Sequence, residues 1–228
     1  LAKEPLGFEP GERFRYSLCH DVLAALVEVI SGVQFGEYVK NNIFTPLGMN
    51  DSTFLLDDSR LNEIVNQYTY DKETGVKERT KTNDYKFGCR FESGGAGCIS
   101  TLEDYIKFIE AIRIGNIVLK EETINMMATN QLAEEQMRLY WVKDYGYGLG
   151  QRCPKDDTKS DFGWGGAAGA YASVDPVNNV TFYYAQHVLS APNRHLRPWL
   201  YQTIRADLLG EKIQVPITQD DDNPSLTY

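Results

Sequence analysis

No two cysteines in this chain are spaced C-x-x-C. Cys19, Cys89, Cys98 and Cys153 stand apart, which excludes a zinc ribbon or a thioredoxin-type motif and leaves free thiols as the default. Histidine is scarce too. His20, His187 and His195 are scattered and no H-E-x-x-H occurs, so the sequence implies neither a metal site nor a cofactor. Basic charge is in deficit: 23 Lys and Arg against 32 Asp and Glu give a net charge of −9. Phosphate binding needs a basic face, so nucleic acid is excluded as a partner. The longest apolar run is interrupted by Glu28, which leaves no membrane span. No signal peptide is visible, and the chain opens Leu1-Ala-Lys-Glu-Pro5, as a trimmed or mid-protein segment would. The compartment stays open, with the cytoplasm favoured.

The usual nucleophile signatures are missing as well. There is no G-x-S-x-G, and no serine has a lysine three residues on. Thr69-Tyr-Asp-Lys72 and Thr74-Gly-Val-Lys77 match S-x-x-K with threonine, but they lie in a polar stretch with no apolar helix to dry them. Gly163-Trp-Gly165-Gly-Ala-Ala168 has the G-x-G-x-x-A spacing of a dinucleotide turn. That motif needs a following helix to receive the pyrophosphate. Here the following residues are aromatic and β-branched and end in Asp175-Pro176, which excludes it.

What the chain does hold is helical periodicity first and strands later. Val22, Leu23, Leu26, Val27 and Ile30 share a helical face stopped by Gly32, and a second helix is predicted from Phe35 to Phe44, before Pro46. Tyr68-Thr-Tyr70, the Lys72–Gly75 turn and Val76 predict an exposed hairpin, a peripheral excursion within a polar stretch of about 57–90. Ser100-Thr-Leu-Glu103 reads as a capping box opening a helix with Tyr105, Ile106, Phe108, Ile109 and Ile112 on one face. A short helix over 121–129, a strand over 145–150 and a final helix from Pro198 to Leu209 follow. Between the last two, the glycine-rich run from Asp161 through Pro176 and the segment from Val180 predict two strands joined by a tight turn. Helices, then antiparallel strands, then a helix indicate an α+β fold. The expected organisation is a mostly helical region over 1–135, strands and a helix over 136–210, and an acidic tail over 211–228.

Several segments in shared order resemble a known family. Pro10-Gly11-Glu-Arg-Phe14-Arg-Tyr16-Ser17, Glu28-Val-Ile-Ser31-Gly32, Ile43-Phe44-Thr-Pro46-Leu47-Gly48-Met49, Ser93-Gly94-Gly95-Ala-Gly97-Cys-Ile-Ser100-Thr101 with Asp104-Tyr105, Tyr145-Gly-Tyr147-Gly-Leu-Gly150 and Trp164-Gly165-Gly166 follow one another. The chain is similar to the class C β-lactamase-type serine hydrolases, which include D,D-peptidases and carboxylesterases. The likeness runs from about residue 8 to about residue 210. It implies a β-lactamase/transpeptidase-like fold whose first strands and S-x-x-K helix lie N-terminal to this sequence. Tyr16 matches the tyrosine of the family's Y-x-N element, held to move protons with the lysine. A phenol of ordinary pKa is only about one part in a thousand ionised at neutral pH, so it needs a neighbouring cation. Trp164-Gly165-Gly166 matches the K-T-G strand, which makes the backbone N–H of Ala167 one arm of an oxyanion hole.

Two substitutions within those motifs bear on the substrate. Leu18 stands where lactamases and peptidases carry asparagine, and Trp164 replaces the lysine that attracts a substrate carboxylate. An apolar shelf of Leu18 and Trp164 over Gly165 and Gly166 suits an uncharged ester. The expectation is therefore a fragment of an esterase acting through an acyl-serine on a small ester or amide substrate, inactive alone. A β-lactamase or D,D-peptidase, and a non-catalytic binding member, remain alternatives. A fragment of this kind would leave apolar surface bare, so its expected partners are the missing N-terminal segment or a second copy.

Overall fold

A computed structural model describes residues 3–80, 92–142, 144–194 and 196–213. Its centre is a five-stranded antiparallel sheet, in chain order β3 (Tyr145–Tyr147), β4 (Arg152–Pro154), β5 (Phe162–Gly165), β6 (Tyr171–Asp175) and β7 (Val180–Tyr184). Before it come β1 (Tyr68–Tyr70), β2 (Lys77–Arg79) and the helices α1 (Cys19–Ser31), α2 (Phe35–Val39), α3 (Thr45–Leu47), α4 (Leu102–Ile114), α5 (Glu121–Met127) and α6 (Glu134–Met137). After it come β8 (Val188–Leu189) and α7 (Leu196–Leu209).

Side-chain alternation along β6 explains how two helices cover the sheet. Val174 points to a core with Ile109 and Ile112 of α4, Ile124 of α5, and Cys153 and Phe162 of the sheet. Tyr171, one strand step out of phase, points the other way, to Val180 and to Tyr201 of α7. Each such aliphatic or aromatic side chain contributes about 1.5–3 kcal/mol through burial. A third cluster, Val39, Phe44, Met49 and Phe54, closes the helical part.

Local details depart from expectation in instructive ways. The segment after α2 stays helical to Leu47, through a wider π turn over Lys40–Phe44 in which the Thr45 N–H reaches back to the Lys40 carbonyl. Pro46 has no N–H for a regular bond, and the widening absorbs that defect. The capping box is not formed at Ser100. Thr101 is the N-cap of α4, its hydroxyl accepting from Asp104 N–H at 3.2 Å, while the Ser100 hydroxyl pairs with Ser52 at 2.8 Å. Two adjacent hydroxyl residues fit the pattern equally, and extended backbone at Thr101 chooses the second. The glycine-rich run is not one strand but β5, a turn and β6. Gly169 turns the chain at φ +114°, a region that a side chain disfavours. The strand expected over 145–150 stops at Tyr147, and the chain turns over Gly148–Gln151, closed by Gly148 N–H to the Gln151 carbonyl at 2.8 Å, into β4. The hairpin of β1 and β2 forms, and β1 also pairs in parallel with β8. The polar stretch beyond Thr80, and the tail from residue 214, lie outside the described residues.

Among the described residues no single helix is long and apolar enough to cross a membrane; α1 and the Phe35–Leu47 segment pass such a test only as a pair bent by 79°. The exposed face of α1 is nonetheless apolar: Val22, Leu23, Leu26, Val29 and Ile30 all lie open.

On the α7 face a buried ion pair ties three strands. Arg152 Nη1 donates to Asp161 at 2.7 Å, and its Nη2 donates to Tyr171 Oη and Ser173 Oγ at 2.6 and 2.9 Å. Tyr145 Oη and Ser173 Oγ complete the carboxylate's shell. Burial by itself would raise the Asp161 pKa. The Arg152 charge and the hydrogen bonds from Ser173, Arg152 and Tyr145 outweigh it and hold the carboxyl below its usual range. Removing one partner strands a buried charge at a cost of about 3–5 kcal/mol. Asp161→Asn should lose about that much stability at neutral pH in urea unfolding. A carboxyl depressed in the folded state contributes fully above its unfolded pKa, about 3.9, and loses its contribution as pH falls through the folded value. The gap between wild type and Asp161→Asn should therefore close in acid. A gap that persists unchanged into strong acid would mean that the charge plays no part.

Candidate active site

Two loops meet at the N-terminus of α1. Ser93 Oγ donates to Asp21 in the first turn of α1 at 2.6 Å and accepts from Ala96 N–H at 3.1 Å. Asp21 is buried there. The fit tolerates nothing larger than glycine at position 94, where a Cβ would run into the His20 carbonyl oxygen and come within 2.8 Å of the Ala24 Cβ. His20 in turn lies against Gly150. The glycine-rich loop, the start of α1 and the loop after β3 thus brace one another just beyond Tyr16.

Tyr16 enters an assembly of aromatic rings. Its ring stacks on Trp164 of β5 at 5.5 Å and 23°, and meets the Trp141 ring edge-on at 5.5 Å and 82°. Tyr147 of β3 packs edge-on against Trp164 at 5.8 Å, and Phe14 bridges Tyr140, Trp141 and Tyr147. Ring pairs of this geometry are each worth about 0.5–1.5 kcal/mol beyond their burial. Tyr16 itself is 48% exposed and Leu18 is 55% exposed, so the phenol and the leucine both face solvent. Burial pushes the Tyr147 phenol up to about 12, with Tyr16 and Cys19 beside it adding to the shift. Tyr147 is therefore a hydrogen-bond donor at any physiological pH.

Gly165 ends β5 opposite Tyr171. The chain then turns over Gly166–Ala170, closed by Gly166 N–H to the Ala170 carbonyl at 2.7 Å and Gly169 N–H to the Gly166 carbonyl at 3.1 Å. Val188 N–H binds the Ala168 carbonyl at 2.7 Å. Ala167 is exposed, and among the described residues no acceptor is hydrogen-bonded to its N–H. The stacking of Tyr16 on Trp164 thus brings the residue 16 and residue 164–167 motifs together, from elements almost 150 positions apart. Residue-type signals did not reveal Trp141, Tyr147, Phe14, Asp21 or Ser93. Only the two Gly-rich segments that contain or adjoin Tyr147 and Ser93 hinted at close backbone approach.

No cluster of three metal-ligating side chains exists among the described residues. A hollow of about 550 Å³ lies at the end of α7, lined by Thr203, Ala206, Asp207, Glu211, Lys212 and Ile213. None of the residues discussed above borders it, and its rim is mostly the last turn and tail of one helix.

A sheet covered by α4 and α7, with a tyrosine ahead of α1 facing the strand-end turn, defines a β-lactamase/transpeptidase-like fold. The chain belongs to the Beta-lactamase family, whose model matches residues 1–204. Protein Rv1367c of Mycobacterium tuberculosis is 27% identical over 209 residues, covering 82% of this chain and 52% of that protein. Esterase EstB of Burkholderia gladioli is 29% identical over 133 residues, 50% of this chain and 32% of that protein. The structure of the LovD6 mutant of simvastatin synthase from Aspergillus terreus superposes with a TM-score of 0.82 at 21% identity, covering 91% of this chain and 58% of that one. The chain spans only 52% of Protein Rv1367c and 32% of EstB. Monacolin J acid methylbutanoyltransferase of Aspergillus terreus is 28% identical over 136 residues, 57% of this chain and 33% of that protein.

Gly94→Ala should cost about 1–3 kcal/mol in thermal unfolding, the usual penalty for overpacking. It should also alter the tryptophan emission, because the start of α1 and Tyr16 must shift. Gly166→Ala meets only ordinary contacts near 3.7 Å and should cost much less. Equal penalties at the two positions would remove the bracing role of Gly94.

Proposed function

We propose that this chain supplies the proton-transfer and oxyanion parts of a serine esterase that works through an acyl-enzyme. The observation that carries the reading is the stacked Tyr16–Trp164 pair at 5.5 Å, which sets a phenol against the strand whose next turn carries the unclaimed Ala167 N–H. A substrate ester lies along Gly165 and Gly166, its carbonyl oxygen toward Ala167 N–H. Leu18 and Trp164 form apolar walls for its acyl or alcohol group. The attacking serine and its lysine come from an S-x-x-K segment outside these 228 residues. The serine oxygen bonds to the carbonyl carbon, the ester C–O bond breaks, and Tyr16 with the lysine passes the serine proton to the departing alcohol. Water then repeats the sequence on the acyl-serine and releases the acid. Oxyanion donors of this kind are worth about 3–4 kcal/mol each.

Three features support the reading. Leu18 stands in place of an asparagine that holds a substrate's amide carbonyl and Trp164 in place of a lysine that attracts its carboxylate, and the loss of both favours uncharged esters over penicillins or peptides ending in a carboxylate. The exposed apolar face of α1 is what a covering segment of the same protein, or of a second copy, would bury. A relative that carries the name esterase is 29% identical over 133 residues of this chain.

The test has two parts. The 228-residue chain should neither hydrolyse p-nitrophenyl butyrate nor take up a fluorophosphonate probe, and stoichiometric labelling would overturn the assignment of the nucleophile to another segment. In the full-length protein, Tyr16→Phe should lower the rate of acylation by about 10²-fold or more. An unchanged rate would remove Tyr16 from the proton path. Nitrocefin turnover matching ester turnover would move the substrate class to β-lactams.

A further inference from the structure

The turn that carries the Ala167 amide is gripped by a buried cation from α7. Arg197 is 2% exposed. Its Nη1 donates to the Gly166 carbonyl at 3.1 Å and to the Ala170 carbonyl at 2.9 Å, and its Nε donates to the Arg194 carbonyl at 3.1 Å. The guanidinium plane is thereby fixed, and both ends of the five-residue turn hang on one nitrogen.

The Gly166 carbonyl and the Ala167 N–H belong to the same peptide group. That peptide is trans, so its C=O and N–H point in opposite directions. With the oxygen aimed at Arg197 and at Gly169 N–H, the Ala167 N–H is aimed away from α7. Hydrogen bonds polarise one another along a chain, and a charged donor on the carbonyl is the strong form of that effect. Electron density drawn toward the Gly166 oxygen leaves the Ala167 N–H a more acidic, stronger donor. We propose that Arg197 is a positioning residue that both aims and strengthens Ala167 N–H as an oxyanion donor, without touching the substrate. The proposal rests on the reading of Ala167 given above.

Such a role acts on the charge that develops in the transition state and hardly at all on the neutral ester. In the full-length protein, Arg197→Met should lower kcat for p-nitrophenyl butyrate about tenfold or more while KM stays within about twofold. Arg197→Lys keeps the charge but not the fork, and should recover part of the loss. The direct readout is the Ala167 amide, selected with ¹³C′-glycine and ¹⁵N-alanine because Gly95-Ala96, Gly166-Ala167 and Gly169-Ala170 are the Gly-Ala pairs of this chain. Its proton resonance should move upfield in Arg197→Met and part of the way back in Arg197→Lys.

A folded Arg197→Met protein with an unmoved Ala167 amide overturns the proposal, whatever its kcat does. A moved amide with unchanged kcat overturns the catalytic part. If the wild-type protein has no ester turnover, the functional reading fails, and the amide shift alone decides whether Arg197 polarises the turn. If both variants fail to fold, the wild type decides. Its Gly166 ¹³C′ resonance should lie downfield of those of Gly95 and Gly169, whose carbonyls accept no hydrogen bond among the described residues. A Gly166 resonance at or upfield of theirs overturns the proposal.

Discussion

Arg152 and Asp161 hold the molecule's centre. Their ion pair is almost wholly buried, and it joins β4 to the residue just before β5, with Tyr171 and Ser173 of β6 drawn into the same network. A buried pair of this kind adds little net energy compared with a well-packed apolar core, but breaking it is expensive. What it contributes is register. Arg152 sits opposite Gly163, and Gly163 opposite Ser173, so a slip of one residue would leave the guanidinium facing the wrong side of the sheet. The register in turn sets where β5 ends, and so where the turn at Gly166–Ala170 begins.

From that turn the proposed chemistry follows by short steps. Gly165 and Gly166 bring no side chain to the end of β5 and the start of its turn, Trp164 offers its ring to Tyr16, and among the described residues no acceptor claims the Ala167 N–H. The other half of the arrangement comes from α1, braced by the Asp21–Ser93 hydrogen bond and by the close approach at Gly94. Helix α7 reaches the same turn from the opposite side of the sheet through Arg197. Segments remote in sequence thus meet at the end of β5 and the turn that follows it. The proposed site is held by the same contacts that hold the core, as preorganised stabilisation of charge requires.

How much of this was legible beforehand differs by kind of feature. The helices α1, α4 and α7 could be read from apolar periodicity and from the residues that stop them, because those signals are local. The exact N-cap of α4 could not, since Ser100 and Thr101 present the same hydroxyl and only the backbone conformation separates them. The division of the glycine-rich run into strand, turn and strand was hidden for a similar reason: composition shows where backbone freedom exists, not where it is used. Tyr16, Leu18, Trp164, Gly165, Gly166 and Ala167 entered through their likeness to family motifs. Tyr147 stood in one of the quoted motifs without a role, and both it and Trp141 took their place only when the rings were seen packed with Tyr16 and Trp164, because an aromatic residue in sequence looks the same whether it packs in a core or lines a site.

By itself the sequence determined the α+β class, the order of the elements, the absence of a nucleophile of the S-x-x-K type and the small, side-chain-poor edge at 165–167. These are properties of residue type and spacing, and they act over a few positions. The tertiary structure alone decided that Tyr16 stacks on Trp164, that Asp21 answers Ser93 across 72 positions, and that Arg197 takes the carbonyls of Gly166 and Ala170. Contacts between residues so far apart are set by sheet register and helix packing, and no local pattern of side chains carries that information.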